Sequence, residues 1–308
     1  MILALAGGVG GAKLAAGLAS VLAPDTLRVV VNTGDDFVHV GLMVSPDIDT
    51  VTYTLAGLND RQQGWGLAGE SWNFMAALER LGGPSWFKLG DRDLATHVER
   101  THRLEAESLS AIAADFAARL GIDQHIIPMS DDRVATMVDT DRGELAFQDY
   151  FVRLRCEPCF RGIRFAGADV ASPSAGFSAA LDDPALEAIL ICPSNPLLSI
   201  APILALPGVR DALTRRNVPL VAVSPFIGGE AVKGPAAKIF REMGLATTPA
   251  ALANCYGGLL DGLVIDRTDA GADAPAGIAL LSTDTLMRDP ADQRRLAAQV
   301  VDFARGLG

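Results

Sequence analysis

The chain opens with five apolar residues, Ile2–Ala6, that run directly into Gly7-Gly8-Val9-Gly10-Gly11 and then into a segment of helical spacing. This succession constrains the fold more than any other tract. Glycines let the backbone turn sharply and come close to another group, and the helix that follows offers unpaired N–H groups and the positive end of its dipole. The helix is expected over Ala12–Leu22, with Leu14, Leu18 and Leu22 on one face and Pro24 closing it. A phosphate is the natural ligand for such a turn. The Walker A pattern is absent, because position 12 is Ala and no Ser or Thr follows Lys13. The dinucleotide fingerprint is broken as well, since Lys13 stands where its third small residue belongs. Gly8, Gly10, Gly11 and Lys13 are therefore phosphate-contact candidates without a standard motif.

Short apolar runs recur at Leu27–Val31, Ala188–Cys192, Leu220–Val223 and Gly262–Ile265, each followed by turn residues. Continuous apolar strands alternating with helical segments predict an α/β fold: a Rossmann-like parallel sheet flanked by helices. Helices are expected over Trp72–Leu81 and Ser108–Leu120, the latter stopped by Gly121. Residues 125–165 lack helical period, with short strands expected near Thr136–Val138, Glu144–Tyr150 and Gly162–Phe165. They read as a smaller α+β extension of a single domain covering 1–308, and Gly271–Gly277 reads as an exposed loop.

A net charge of −11 excludes the basic footprint that nucleic acid requires, while leaving room for an anionic small ligand in one cleft. The four cysteines suit a reducing cytoplasm, and Cys156-Glu157-Pro158-Cys159 lacks the further Cys or His that would complete a zinc site. Met1–Pro24 has no basic start and is interrupted by glycines, so it reads as strand, turn and helix instead of a leader. With no apolar stretch long enough to span a bilayer, a soluble cytoplasmic protein is expected.

In parallel sheets ligands gather beyond the carboxyl ends of the strands. After the second strand come Asn32-Thr33-Gly34-Asp35-Asp36 and then Ser45-Pro46-Asp47-Ile48-Asp49-Thr50. Paired acids in two nearby loops suit Mg²⁺, which takes carboxylates together with water and phosphate oxygens. Asp36 and Asp49 are the expected ligands; helix caps or a ribose-binding acid would use the same residue types. In Leu89-Gly90-Asp91-Arg92-Asp93-Leu94-Ala95-Thr96-His97, Arg92 is a candidate phosphate clamp beside Asp91, and His97 a candidate acid or base. A solvated helix start with internal ion pairs would read the same way. Met129-Ser130-Asp131-Asp132 is either a ligand loop or a plain turn. Ser194 and Asn195 follow one buried strand, and Ser224, Pro225 and Gly228, leading to Lys233, follow the next. Together these two tracts look like two sides of a nucleotide site. No Ser-His-Asp or Cys-His set is apparent, so no covalent nucleophile is indicated.

These tracts, in this order, resemble the 2-phospho-L-lactate transferase family of coenzyme F420 biosynthesis, as does Asp284-Thr285-Leu286-Met287 near the end. The loop around Gly229-Glu230 departs from the family in charge. The resemblance implies that a guanosine-diphospho adduct of phospholactate, or its enolpyruvyl or glyceryl analogue, meets the deazaflavin Fo. The terminal ribityl hydroxyl of Fo would attack the phosphorus bearing the acid unit, giving F420-0 or its dehydro form and GMP. Mg²⁺ on Asp36 and Asp49 would neutralise the diphosphate, one of these acids or Asp35 would accept the proton, and the protein would be a homodimer. A sister branch binds nucleotide sugars without transfer chemistry and is the alternative; an NAD-dependent dehydrogenase is the weaker one.

Overall fold

The computed structural model describes residues 1–232, 234–273 and 275–308. Its centre is a sheet of seven strands: β1 (Ile2–Ala6), β2 (Leu27–Val31), β3 (His125–Pro128), β4 (Ala188–Ile191), β5 (Leu220–Val223), β6 (Gly262–Asp266) and β7 (Ala279–Thr283). All run parallel, in the spatial order β7-β6-β5-β4-β1-β2-β3. The apolar runs did not announce β3 or β7: β3, read as the start of the 125–165 extension, pairs with β2 in the central sheet, and the first four residues of β7 alternate between half-buried and exposed, as befits an edge.

Alternation along each strand sends side chains to two cores. Leu3 and Leu5 of β1 join Phe177, Ile203 and Phe240 on one face. Ile2, Ala4 and Ala6 join Leu14, Leu18 and Val300 on the other. Burying each such leucine or isoleucine contributes about 1.5–3 kcal/mol, so two-sided burial is what makes a short five-residue strand stable.

The chain builds outward from β1 through β2 to β3, then returns to the other side of β1 and builds through β4 to β7. Loops leaving β1 and β4 therefore diverge, and the crevice between them is where such a sheet binds ligands. The remaining elements stand around that crevice. A hairpin, Phe37–His39 with Leu42–Val44, follows β2, and an antiparallel sheet of Ala135–Thr140, Gly143–Ala146 and Phe160–Ala166 follows β3.

Helix α1 spans Gly8–Val21 and begins four residues before the expected start, inside the glycine turn itself. Glycine is a poor helix former, and tertiary packing overrides that preference here. A Cβ on Gly10 would lie 2.2 Å from the carbonyl oxygen of Pro193, and Gly8 has φ +64°. Helix α2 is Pro46–Leu55, α3 Asn73–Arg80, α4 Asp93–Arg103 and α5 Leu109–Arg119. Ser108 caps α5 through a hydrogen bond accepted from Ala111 N–H. The strand expected near Glu144–Tyr150 ends at Ala146. Asp149–Arg153 forms a wide helical turn instead, which lets Phe147 and Phe151 stack at 5.3 Å between centroids.

No single helix among the described residues is long and apolar enough to cross a membrane. The four cysteines are unbridged; Cys156 and Cys192 are buried, Cys159 is exposed.

Candidate active site

A cavity of about 780 Å³ fills the crevice beyond β1 and β4. Of the residues singled out from sequence, Gly8, Gly10, Lys13, Asp35, Asp49, His97, Ser194, Asn195, Ser224 and Pro225 line it. Six others stand back from the wall. Gly11 packs behind the turn, where a Cβ would meet Ser194 Oγ at 2.8 Å. Asn32 is fully buried and braces the floor: its amide donates to Asp47 Oδ2 at 3.0 Å and its Oδ1 accepts Gly34 N–H at 2.8 Å. Asp36 lies behind the wall, accepting the Ser45 hydroxyl at 2.6 Å. Gly228 N–H donates to Asp269 at 3.1 Å.

Asp91 and Arg92 correct the reading of their tract most clearly. Asp91 accepts hydrogen bonds from Ser71 Oγ, from the backbone N–H groups of Asn73 and Phe74, and from the Asn73 amide, at 2.6–3.0 Å. These donors, the Ser71 hydroxyl first, hold its carboxyl down to about 2. Arg92 is exposed and donates to the Ala68 carbonyl at 2.8 Å. Both residues fasten the loop to the start of α3 and α4. The Met129–Asp132 tract is likewise a turn: Asp131 accepts Ser110 N–H and Asp132 accepts Ser172 N–H. Lys233 lies outside the described residues.

The glycine turn is held from two sides. Ser194 Oγ accepts Gly7 N–H at 3.1 Å and donates to Gly7 O at 2.8 Å. Asp47 Oδ1 accepts Gly8 N–H at 2.8 Å, a helix cap supplied by a distant loop. The next first-turn N–H groups, on Val9 and Gly10, have no acceptor within the helix, and both residues line the cavity. Asn195 uses its Oδ1 to cap Leu197 and Leu198, while its buried Nδ2 meets no acceptor. This wall offers donors to an oxyanion.

The wall that adjoins the glycine turn is acidic. Asp35, Asp47, Asp49 and Asp93 line it, each nearly buried. One fully buried cation balances them. Arg100 reaches both carboxylate oxygens of Asp49, with Nη1 to Oδ2 at 3.1 Å and Nη2 to Oδ1, and its Nη1 also faces Met43 O. Burial alone would lower the Arg100 pKa, and the Asp49 carboxylate outweighs that and raises it. His97 lies between two acids, Nε2 at 3.1 Å from Asp93 Oδ2 and Nδ1 at 3.7 Å from Asp49 Oδ2. Tyr53 donates to Asp93 Oδ1 at 2.6 Å. Burial pushes the Asp93 carboxyl up, but the His97 and Tyr53 contacts prevail and leave it lowered.

Arg100, Tyr53, Asp47 and Asp93 are functional neighbours that the motif reading passed over. Helical spacing would have found some of them: 93, 97 and 100 share one face of α4, and 49 and 53 one face of α2.

Elsewhere in the cluster charge is left over. Burial, then the neighbouring Asp47 and Asp36, pushes the Asp35 carboxyl well up, and burial does the same to Asp36. Burial brings Asp47 to about 6. Oδ1 of Asp35 and Oδ1 of Asp36 are buried and meet no donor. Orphaned carboxylate oxygens amid like charges fit a divalent cation. Among the described residues no three His, Cys, Asp or Glu form a metal-binding group. Asp49, expected as a ligand, has both oxygens engaged by Arg100.

These raised carboxyls make stability depend on pH. The folded protein keeps protons that the unfolded chain has released above about pH 4, so cation-free stability falls as pH rises through about 6 and beyond. Asp47 alone accounts for up to ~3 kcal/mol. Thermal melts without divalent cation should therefore decline from pH 5 to pH 8, and millimolar Mg²⁺ should restore more at pH 8 than at pH 5. Equal Mg²⁺ effects at the two values would remove the cation from this cluster.

The remaining wall is apolar. Trp65, Trp86 and Phe87 face the cavity near the acids, and Trp86 packs edge-on against buried His39 at 5.0 Å. Phe147 and Phe151 face it from the extension.

The chain is similar to proteins of one family over nearly its whole length. The family model of the 2-phospho-L-lactate transferase CofD matches residues 2–301. A phosphoenolpyruvate transferase of Kitasatospora aureofaciens is 42% identical over 99% of this chain and 98% of its own. A 2-phospho-L-lactate transferase of Methanopyrus kandleri is 40% identical over 98% of this chain and 97% of its own. Among solved structures, a UPF0052-family protein of Bacillus halodurans shares the fold with a TM-score of 0.62 at 12% identity, covering 97% of this chain and 98% of that one.

Proposed function

The chain belongs to the 2-phospho-L-lactate transferase family of F420 biosynthesis, and from that premise we propose that it joins a phospho-acid unit to the deazaflavin Fo. The donor is a guanosine diphosphate whose terminal phosphate is esterified by the acid unit, lactyl or enolpyruvyl. The observation that supports this most is one cleft in which the N–H groups of a glycine turn adjoin a cluster of nearly buried carboxylates, Asp35 among them with a partnerless oxygen.

In this reading the α1 N-terminus and the Asn195 amide hold the diphosphate, and the Ser224-Pro225 turn, one strand further along, borders the guanosine. The flat ring of Fo lies against Trp65, Trp86 and Phe87, which places its ribityl chain toward the acids. The terminal hydroxyl oxygen forms a bond to the phosphorus that bears the acid unit. The bond from that phosphorus to the bridging oxygen breaks, and GMP leaves with the oxygen. Asp47, buried beside the glycine turn and brought to about 6, accepts the hydroxyl proton. Asp35 would hold Mg²⁺ at the cavity wall, backed by Asp36 and with Asp49 beside it; the ion would neutralise the diphosphate and acidify the attacking hydroxyl. The protein's own contribution is positioning and charge, which is what phosphoryl chemistry requires.

The test is direct: purified protein with Mg²⁺, Fo and each guanosine-diphospho donor, read by mass spectrometry. One stoichiometric GMP should be released per Fo converted, and the donor consumed fastest identifies the acid unit. Tight UDP-sugar binding with no conversion of Fo would sink the reading.

A further inference from the structure

Resting on that reading, we propose that Arg155 recognises an oxyanion of the donor and so is a determinant of donor specificity. Among the described residues, three cationic side chains of Lys or Arg line the cavity: Lys13, Lys88 and Arg155. Lys13 is committed at least in part, its amine donating to Met287 O at 2.8 Å. Arg100, the counter-ion of the acidic wall, is spent on Asp49. Arg155 is exposed and lines the cavity from the extension. Its neighbour Arg153 pairs with Asp149 at 3.4 Å, whereas no carboxylate among the described residues lies within ion-pair distance of Arg155.

The backbone there is costly. Arg155 has φ +50° and the following Cys156 φ +56°, both in the left-handed region. Each such L-residue costs about 1–2 kcal/mol. Three hydrogen bonds hold the two residues there: Leu154 N–H to Asp149 O, Cys156 N–H to Tyr150 O and Glu157 N–H to Leu154 O, at 2.8–2.9 Å. The Cys156 side chain is buried with Tyr150 and Phe160. The clamped, strained backbone fixes the point from which the side chain reaches the cavity, and the planar fork of the guanidinium matches carboxylate or phosphate oxygens in pairs. The donor carries both, and its negative charge must enter a cleft that already holds four aspartates.

Steady-state kinetics of Arg155→Ala, Arg155→Lys and the control Arg153→Ala test this. Arg155→Ala should raise the donor KM ~10- to 100-fold, the range for a hydrogen-bonded charge, with kcat and the Fo KM changed less than about threefold. Arg155→Lys should fall between, and Arg153→Ala should match the parent. Inhibition by guanosine diphosphate, which lacks the acid unit, identifies the oxyanion. Unchanged inhibition in Arg155→Ala assigns the carboxylate, and inhibition weakened in parallel assigns the diphosphate. A donor KM and inhibition both within twofold of the parent overturn the assignment while leaving the proposed reaction standing. A parent protein that does not turn over the donor overturns both.

Discussion

Replacing Arg100 by methionine is expected to cost the protein about 3–5 kcal/mol in stability, the largest effect of any single substitution near the cleft. The side chain is 1% exposed and engages both oxygens of Asp49. Without it a buried carboxylate is left unpaired, in a cluster where Asp35, Asp36 and Asp47 already repel one another. The double variant Arg100→Met/Asp49→Asn removes both charges and should recover much of the loss, because breaking a buried pair is worse than deleting it. Chemical denaturation of the parent, both single variants and the double gives the coupling. A single Arg100→Met variant within about 1 kcal/mol of the parent would show that the pair does not hold the acidic wall together.

Asp35→Asn should do the opposite to stability and harm to turnover. The folded protein raises the Asp35 pKa, so the ionised carboxylate opposes folding near neutral pH. An isosteric amide carries no charge, and the cation-free variant should melt at or above the parent temperature at pH 8. Its kcat should nevertheless fall by ~10²–10³-fold, as expected when preorganised charge at a phosphoryl centre is lost. A stabilised but slow variant separates a functional carboxylate from a structural one. If kcat stays within threefold of the parent, Asp35 has no part in the transfer.

The two cases show how the sequence could be read and where it fell silent. Doubled acids after the second strand announced a charged cluster, because aspartates in strand-end loops have little structural reason to gather. Their division of labour was not legible. Asp49 is claimed by Arg100, fifty-one positions away along the chain, and Asp47 by the N-terminus of α1. The Asp91-Arg92 pair looked equally promising and serves as loop fastening instead. Residue type alone does not distinguish a carboxylate that faces a cleft from one that caps a helix, since both roles require hydrogen-bond acceptors at a turn.

The amino-acid sequence by itself determined the parallel sheet, its central strands and the glycine turn at the first carboxyl end. Those follow from local patterning, the continuous apolar runs of strands buried on both faces and the freedom of glycine, and they need no distant partner. Tertiary structure alone decided that Gly10 must be glycine because Pro193 lies against it, and that Arg100 stands behind the acids. It also decided which two aspartate oxygens are left without a hydrogen-bond partner and that Arg155 faces the cleft. Each of these depends on groups far apart in the chain being brought within a few ångströms, where burial multiplies the strength of every charge and hydrogen bond they make.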